Sequence, residues 1–222
     1  MDSIRDYIIY QDHHVLVANK PSGMPVQDDL SKDPSLHKLL QAYCKRDLHL
    51  CNRIDRPVSG IVLFAKSKDD AALLNEQNTY NGMDKEYLAL VEKKVIDATG
   101  KLENRLQKSS KFKKSYVSND EAGDLARLEY RVLNEMDHYL LIQVAIKSGR
   151  FHQIRSQLAH AGIPIKGDVK YGARRSNKDR SIGLHAWKIN FTHPTTHLDV
   201  AFTAPIPLND IWPVVQTLIQ SI

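Results

Sequence analysis

The chain begins with two short blocks of β-forming residues, Tyr7–Tyr10 and His14–Asn19, separated by three polar positions, a pattern that predicts a hairpin. It leads into Asn19-Lys20-Pro21-Ser22-Gly23-Met24-Pro25, where proline and glycine predict a rigid turn. Asp33-Pro34 predicts a helix cap with proline in the first turn, and Leu36, Leu39, Leu40 and Tyr43 follow at helical spacing. Ile61–Ala65 is apolar without alternation, as in a strand covered on both faces. Ser67 with Asp69 and Asp70 opens a helix to about Asn78, with Ala72, Leu73 and Leu74 as its expected buried stripe, and Tyr87–Val91 returns as a strand.

Further along, Arg127–Leu133 and Tyr139–Ile146 predict an antiparallel pair joined through polar Asn134–His138. In Phe151–Ala161 the apolar Ile154, Leu158 and Ala161 fall on one helical face, which leaves His152 and Arg155 together on a neighbouring polar face, and Gly162 is the stop signal. Strands Leu184–Phe191 and Leu198–Phe202 precede a last helix from about Asn209 to Gln220, carrying Ile211, Val214, Val215 and Leu218. With no repeat or long linker, the expectation is one α/β (α+β) domain over residues 1–222, a mixed, largely antiparallel sheet with flanking helices.

The chain has 222 residues, 42% hydrophobic and 26% charged, enough for a real core, which excludes a disulfide-stapled miniprotein. No apolar run reaches the roughly 18 to 20 residues that span a bilayer, and the first residues lack a basic segment followed by an apolar one, so no membrane association and a cytoplasmic location are expected. Cys44 and Cys51 are read as ordinary thiols. The net charge of +5 is a mild attraction for polyanions. Its distribution adds more: Lys108, Lys111, Lys113 and Lys114 crowd one stretch, and Arg174, Arg175, Lys178 and Arg180 another, both expected in loops. Such runs are either solvated surface or phosphate contacts.

Three segments hold candidate chemistry. In Asn52-Arg53-Ile54-Asp55-Arg56-Pro57-Val58-Ser59-Gly60 one carboxylate lies between two arginines, whose charge keeps it ionised for use as a nucleophile or base; the competing reading is a loop salt bridge. Ser148–Arg155 is a glycine turn entering a helix with cationic side chains at its N-terminus, either an anion site or an amphipathic surface helix. Gly167-Asp168-Val169-Lys170-Tyr171-Gly172 is a turn bracketed by glycines. His185, His193 and His197 do not make a metal site on this pattern, since Pro194 breaks a helical His face and no carboxylate or thiol completes the set. Phosphate-loop, dinucleotide and nucleophile-elbow motifs are absent.

Taken in order, Asn19-Lys20-Pro21-Ser22-Gly23, Arg53-Ile54-Asp55 with Ser59-Gly60, Lys85-Glu86-Tyr87, Gly149-Arg150 with His152-Gln153-Ile154-Arg155, Gly167-Asp168 with Tyr171-Gly172, and Leu184-His185-Ala186 with His193-Pro194 resemble the RluA-type pseudouridine synthase family from about Tyr10 to Pro205. The resemblance implies the pseudouridine synthase fold with a central RNA-binding cleft, and isomerisation of chosen uridines in structured ribosomal or transfer RNA without metal or organic cofactor. It makes Asp55 the catalytic carboxylate, Tyr87 the tyrosine beside the target base and Arg155 the basic partner of Asp55. Arg53 is expected to reach the RNA and fill the space of the flipped uridine, its alternative being a loop ion pair. Arg56, Lys111, Lys113, Lys114, Arg150, His152, Arg174 and Arg175 complete the expected RNA contacts, and a monomer without an appended RNA-binding domain is expected.

The chain departs from the family pattern at Asn52 (usually His), Val58 (commonly Thr), Phe151 (commonly a small hydroxyl residue) and Gln157 (often His). Two rival readings remain: a noncatalytic RNA-binding module on the same fold, and a metal-dependent hydrolase built on the C-terminal histidines.

Overall fold

The computed structural model describes residues 3–80, 82–118 and 123–220. In chain order its elements are β1 (Ile8–Gln11), β2 (Val15–Lys20), α1 (Leu36–Cys44), β3 (His49–Leu50), β4 (Ser59–Ala65), α2 (Lys68–Thr79), β5 (Asp84–Glu92), β6 (Thr99–Ser109), β7 (Lys114–Ser118), β8 (Asp124–Glu135), β9 (Tyr139–Ile146), α3 (Gln153–His160), β10 (Leu184–Thr192), β11 (Asp199–Thr203) and α4 (Trp212–Gln220). The architecture is α/β with predominantly antiparallel strand pairing. Its contacts gather into two compact units interleaved in sequence, residues 1–85 with 186–207 and residues 86–185 with 208–222.

In the first unit β2 pairs antiparallel with β1 on one side and β4 on the other, while β3 also pairs with β4 and β11 with β10. Every residue of β4 is buried, which explains its unbroken apolar run. On one face Ile61 and Leu63 join Val15, Val17, Ala71, Leu74, Phe191 and Met83 in the core; toward the other, Phe64 is stacked on His37 of α1 at 5.5 Å. Full burial of such side chains is worth about 1.5–3 kcal/mol each, so β4 is a stiff support for the loop before it. At Gly60, φ is +110° and a Cβ would come within 2.2 Å of the Ala186 carbonyl oxygen, so only glycine fits there.

Two local expectations are corrected here. The cap of α1 is Ser35, whose hydroxyl accepts the Lys38 N–H at 3.2 Å, because Asp33 is drawn away by Arg56. In α2 the Ser67 cap forms, but the buried residues are Asp70, Ala71 and Leu74 while Leu73 is exposed; capping by Ser67 turns Asp70 inward, where its carboxylate also accepts the Ser67 hydroxyl and faces His14.

In the second unit β8 pairs with β9 and β6, and β6 with β7, all antiparallel. The Lys108–Lys114 stretch, expected as a loop, is therefore a hairpin: Lys108 and Lys114 lie on strands, and Lys111 and Lys113 at the turn between them. The polar face predicted for α3 is also corrected. Gln153, Arg155, Ser156 and Gln157 are as buried as Ile154 and Leu158, because strand carbonyls and a carboxylate receive them. Gln157 Nε2 donates to the Leu102 and Ala126 carbonyls at 3.1 and 3.2 Å, and Gln153 Nε2 to the Arg127 carbonyl at 2.9 Å, which docks the helix on β6 and β8. Gly162, at φ +78°, ends the segment as expected.

Candidate active site

The Asp55 loop is built on β4 from both ends. Asn52 is buried; its Oδ1 accepts the Leu63 N–H at 2.5 Å and its Nδ2 donates to the Ile61 carbonyl at 3.4 Å, so a side-chain amide takes the place of a neighbouring strand. The Val58 N–H closes the turn on the Asp55 carbonyl at 3.0 Å. Below it lies a fully buried lysine. Lys20 Nζ donates to the carbonyls of Pro21 and Met24 at 2.8 Å and of Arg56 at 3.1 Å, and the Gly23 N–H adds a bond to Arg56 O at 2.8 Å. Burial pulls the Lys20 ammonium down to about 7; the Asp55 carboxylate opposes that shift, and the Arg56 charge adds to it.

The two arginines around Asp55 do different things. Arg56 donates Nε to the Gly23 carbonyl at 2.8 Å and Nη1 to the Ser31 hydroxyl at 2.8 Å, and pairs with Asp33 and, at 3.4 Å, with Asp29. It clamps two loops together, and the carboxylates it pairs with are Asp33 and Asp29. Arg53 is exposed and makes no ion pair or hydrogen bond among the described residues.

In the second unit Arg155, 5% exposed, donates Nε to Asp168 Oδ2 at 2.7 Å and Nη2 to Oδ1 at 2.8 Å. This two-point pair uses two of the guanidinium's five N–H donors and keeps a charged residue inside a core helix. The Asp168 carbonyl also accepts the N–H groups of Tyr171 and Ala173, at 2.9 and 3.1 Å, so this carboxylate and its turn are made together. Tyr171 lies under Arg155, with Cζ 5.0 Å from its ring centroid, and its hydroxyl meets both the Ser115 N–H and His152 Nδ1 at 2.8 Å. Tyr87 is buried on β5.

The expected RNA contacts are spread over this unit. Lys111 and Lys113 are exposed at the hairpin turn, and Lys114 Nζ sits 5.8 Å from the Tyr171 ring centroid. Arg150 is exposed before α3, 3.9 Å from Asp124. Arg174 and Arg175 wall a cavity of about 520 Å³ together with Lys93, His138 and Lys166. His193 spends both ring nitrogens internally: Nδ1 accepts the Thr195 and Thr196 N–H groups at 3.2 Å, which leaves Nε2–H to donate to Asp12 at 2.9 Å. Sequence reasoning gave no role to Lys20 or Asp168. Both stand in the quoted motifs, but nothing in their spacing shows that one ties three carbonyls and the other carries Arg155.

A model of the RNA pseudouridylate synthase family matches residues 14–160, and the chain belongs to that family, in its RluA-type branch. It is an RNA pseudouridine synthase, an isomerase acting on uridine in RNA. Among its relatives, the ribosomal large subunit pseudouridine synthase C of Salmonella typhimurium is 32% identical over 220 residues, covering 92% of this chain and 67% of the relative. The protein of the same name from Buchnera aphidicola (Acyrthosiphon pisum) is 30% identical over 212 residues, covering 91% and 68%. The chain thus spans about two thirds of the length of these relatives. The solved structure of human RNA pseudouridylate synthase domain containing 1 superposes with a TM-score of 0.76 at 20% identity, over 98% of this chain and 96% of that one, which identifies the same fold.

Proposed function

We propose that this chain converts uridine to pseudouridine in large-subunit ribosomal RNA, with Asp55 as the catalytic carboxylate. The reaction breaks the C1′–N1 bond, rotates the uracil and joins C1′ to C5; the C5 proton leaves and N1 gains one. A carboxylate beside the sugar serves that exchange only if it is held still, and the observation that carries the reading is the mounting of the Asp55 loop on Asn52, Lys20 and β4. Tyr87 takes the position beside the base, and Arg155 that of the basic partner. The names of the relatives support ribosomal RNA over transfer RNA.

Lys111, Lys113, Lys114, Arg150, Arg174 and Arg175 supply the phosphate contacts, His152 adds a polar contact at the start of α3, and Arg53 reaches the extruded nucleotide's place in the stack. Arg56 acts one step back by fixing the loop. The chain works as a monomer in the cytoplasm and uses no cofactor; no helix among the described residues is long and apolar enough to cross a membrane. The test is tritium release from ribosomal RNA labelled at uridine C5. Asp55→Asn is expected to abolish release while retaining RNA binding, and continued turnover by that variant rejects the assignment.

A further inference from the structure

Phe151 is half-buried in a turn that leads into α3. Its ring is stacked on the imidazole of His152, with centroids 3.9 Å apart and planes within 19°. Two features hold that imidazole in place. The His152 backbone is left-handed, at φ +53°, and its Nδ1 lies 2.8 Å from the Tyr171 hydroxyl, which is itself fixed by the Ser115 N–H of β7. Tyr171 in turn supports Arg155. A phenyl ring is thus backed by a rigid planar group and tied, through two side chains, to the residue that the proposed mechanism places next to the catalytic carboxylate.

One face of the phenyl ring is taken by His152. The exposed Lys108 extends its ammonium over the ring, 4.8 Å from the centroid. Such an exposed cation on a flexible stem gains little from the contact and moves easily, whereas a nucleobase on the same ring gains dispersion and shields apolar surface. Once displaced, the ammonium stays within reach of the phosphate of the nucleotide that replaces it. An aromatic face with a lysine at its rim matches what unpaired RNA offers, a base plane beside a negative backbone; a duplex, with its bases stacked internally, offers no plane to take.

The geometry points to Phe151 as a specificity-determining residue that stacks an unpaired base of the substrate RNA, with Lys108 on that nucleotide's phosphate. This deepens the proposed function and rests on it for the identity of the RNA, but not for the stacking itself. The test compares wild type, Phe151→Leu, Phe151→Trp and Lys108→Gln by fluorescence anisotropy, using a fluorescein-labelled 12-nucleotide oligoadenylate and a 12-base-pair RNA duplex as probes. Phe151→Leu keeps apolar bulk and loses the ring; it is expected to weaken single-strand binding about tenfold, equal to about 1.4 kcal/mol. Phe151→Trp is expected to restore binding, Lys108→Gln to weaken it severalfold with a shallower salt dependence, and duplex affinity of Phe151→Leu to match wild type.

Tritium release from ribosomal RNA of cells lacking the protein is expected to show the Phe151→Leu loss in KM rather than in kcat. Equal oligoadenylate affinity for wild type and Phe151→Leu, or an equal loss on the duplex, overturns the proposal. Absence of tritium release by the wild type overturns the substrate reading instead, and the anisotropy comparison still decides the stacking.

Discussion

Arg155 and Asp168 form a parallel, two-point ion pair inside the second unit, with N–H···O distances of 2.7 and 2.8 Å and almost no solvent contact on either side chain. The carboxylate offsets the burial of Arg155 by supplying a counter-charge that meets its fork geometry. Asp168→Asn removes this counter-charge from a buried guanidinium, and a loss of about 3–5 kcal/mol in unfolding free energy is expected. Urea denaturation of the two proteins at pH 7 measures it, and a loss under 1 kcal/mol contradicts a supporting role for Asp168.

Lys20 links stability to pH. Burial lowers its folded pKa from 10.5 to about 7, so the folded protein gives up this proton before the unfolded chain does. Between pH 7 and 10.5 the unfolded chain binds more protons, and stability from this group rises with pH; below pH 7 both states are protonated and the full cost of the buried charge is carried. Lys20→Met, neutral at every pH, removes that rise, which is on the order of 5 kcal/mol across the whole window. The difference between wild-type and variant unfolding free energies, followed from pH 6 to pH 10, should change with this sign. A constant difference excludes a neutralised lysine.

Arg53 and Arg56 are expected to separate binding from stability. Arg53→Ala should leave the melting temperature unchanged while weakening RNA binding at every salt concentration. Arg56→Ala, which opens the clamp to Gly23, Ser31 and Asp33, should lower the melting temperature by several degrees. Calorimetry and filter binding at several salt concentrations check both, and the reverse ranking defeats the division of labour.

The cysteines are expected to differ in reactivity. Burial pushes the Cys51 thiol up to about 12, while Cys44 is only half-buried on α1. Iodoacetamide at pH 8 should modify Cys44 in the native protein and Cys51 only after denaturation, as read by peptide mass spectrometry. Native labelling of Cys51 at a comparable rate refutes the assigned burial.

Much of this architecture was legible residue by residue. The unbroken apolar run Ile61–Ala65 is a strand buried throughout, and Ser67 caps its helix, because both depend on nearby sequence alone. The β6–β7 hairpin was not legible: on the inner face of β6 polar Asn104 separates Leu102 from Leu106, which interrupts the apolar alternation, and the strand is specified by its partners β7 and β8. Arg155 looked like part of a polar face because the carboxylate that allows its burial comes from a separate turn 13 positions later. At the candidate site the motif residues named Asp55, but the roles of Lys20 and Asn52 emerge only once the fold brings the Arg56 carbonyl to Lys20 and the Leu63 N–H and Ile61 carbonyl of β4 to Asn52. Asp33 shows the same limit in reverse: a good local cap was outcompeted by an arginine 23 positions away.

Asn52 has a consequence for motion. Its amide occupies the Leu63 N–H and the Ile61 carbonyl, and the Cys51 N–H pairs with the Leu63 carbonyl at 2.9 Å, so the approach to Asp55 is stitched into the middle of a buried strand. In deuterium, the Leu63 and Cys51 amides should therefore exchange together and slowly, on the timescale of whole-unit opening rather than of loop fluctuation. The carboxylate inherits its stillness from the core, and under the role proposed for Asp55 any change that loosens β4 should reach turnover before it is visible as unfolding.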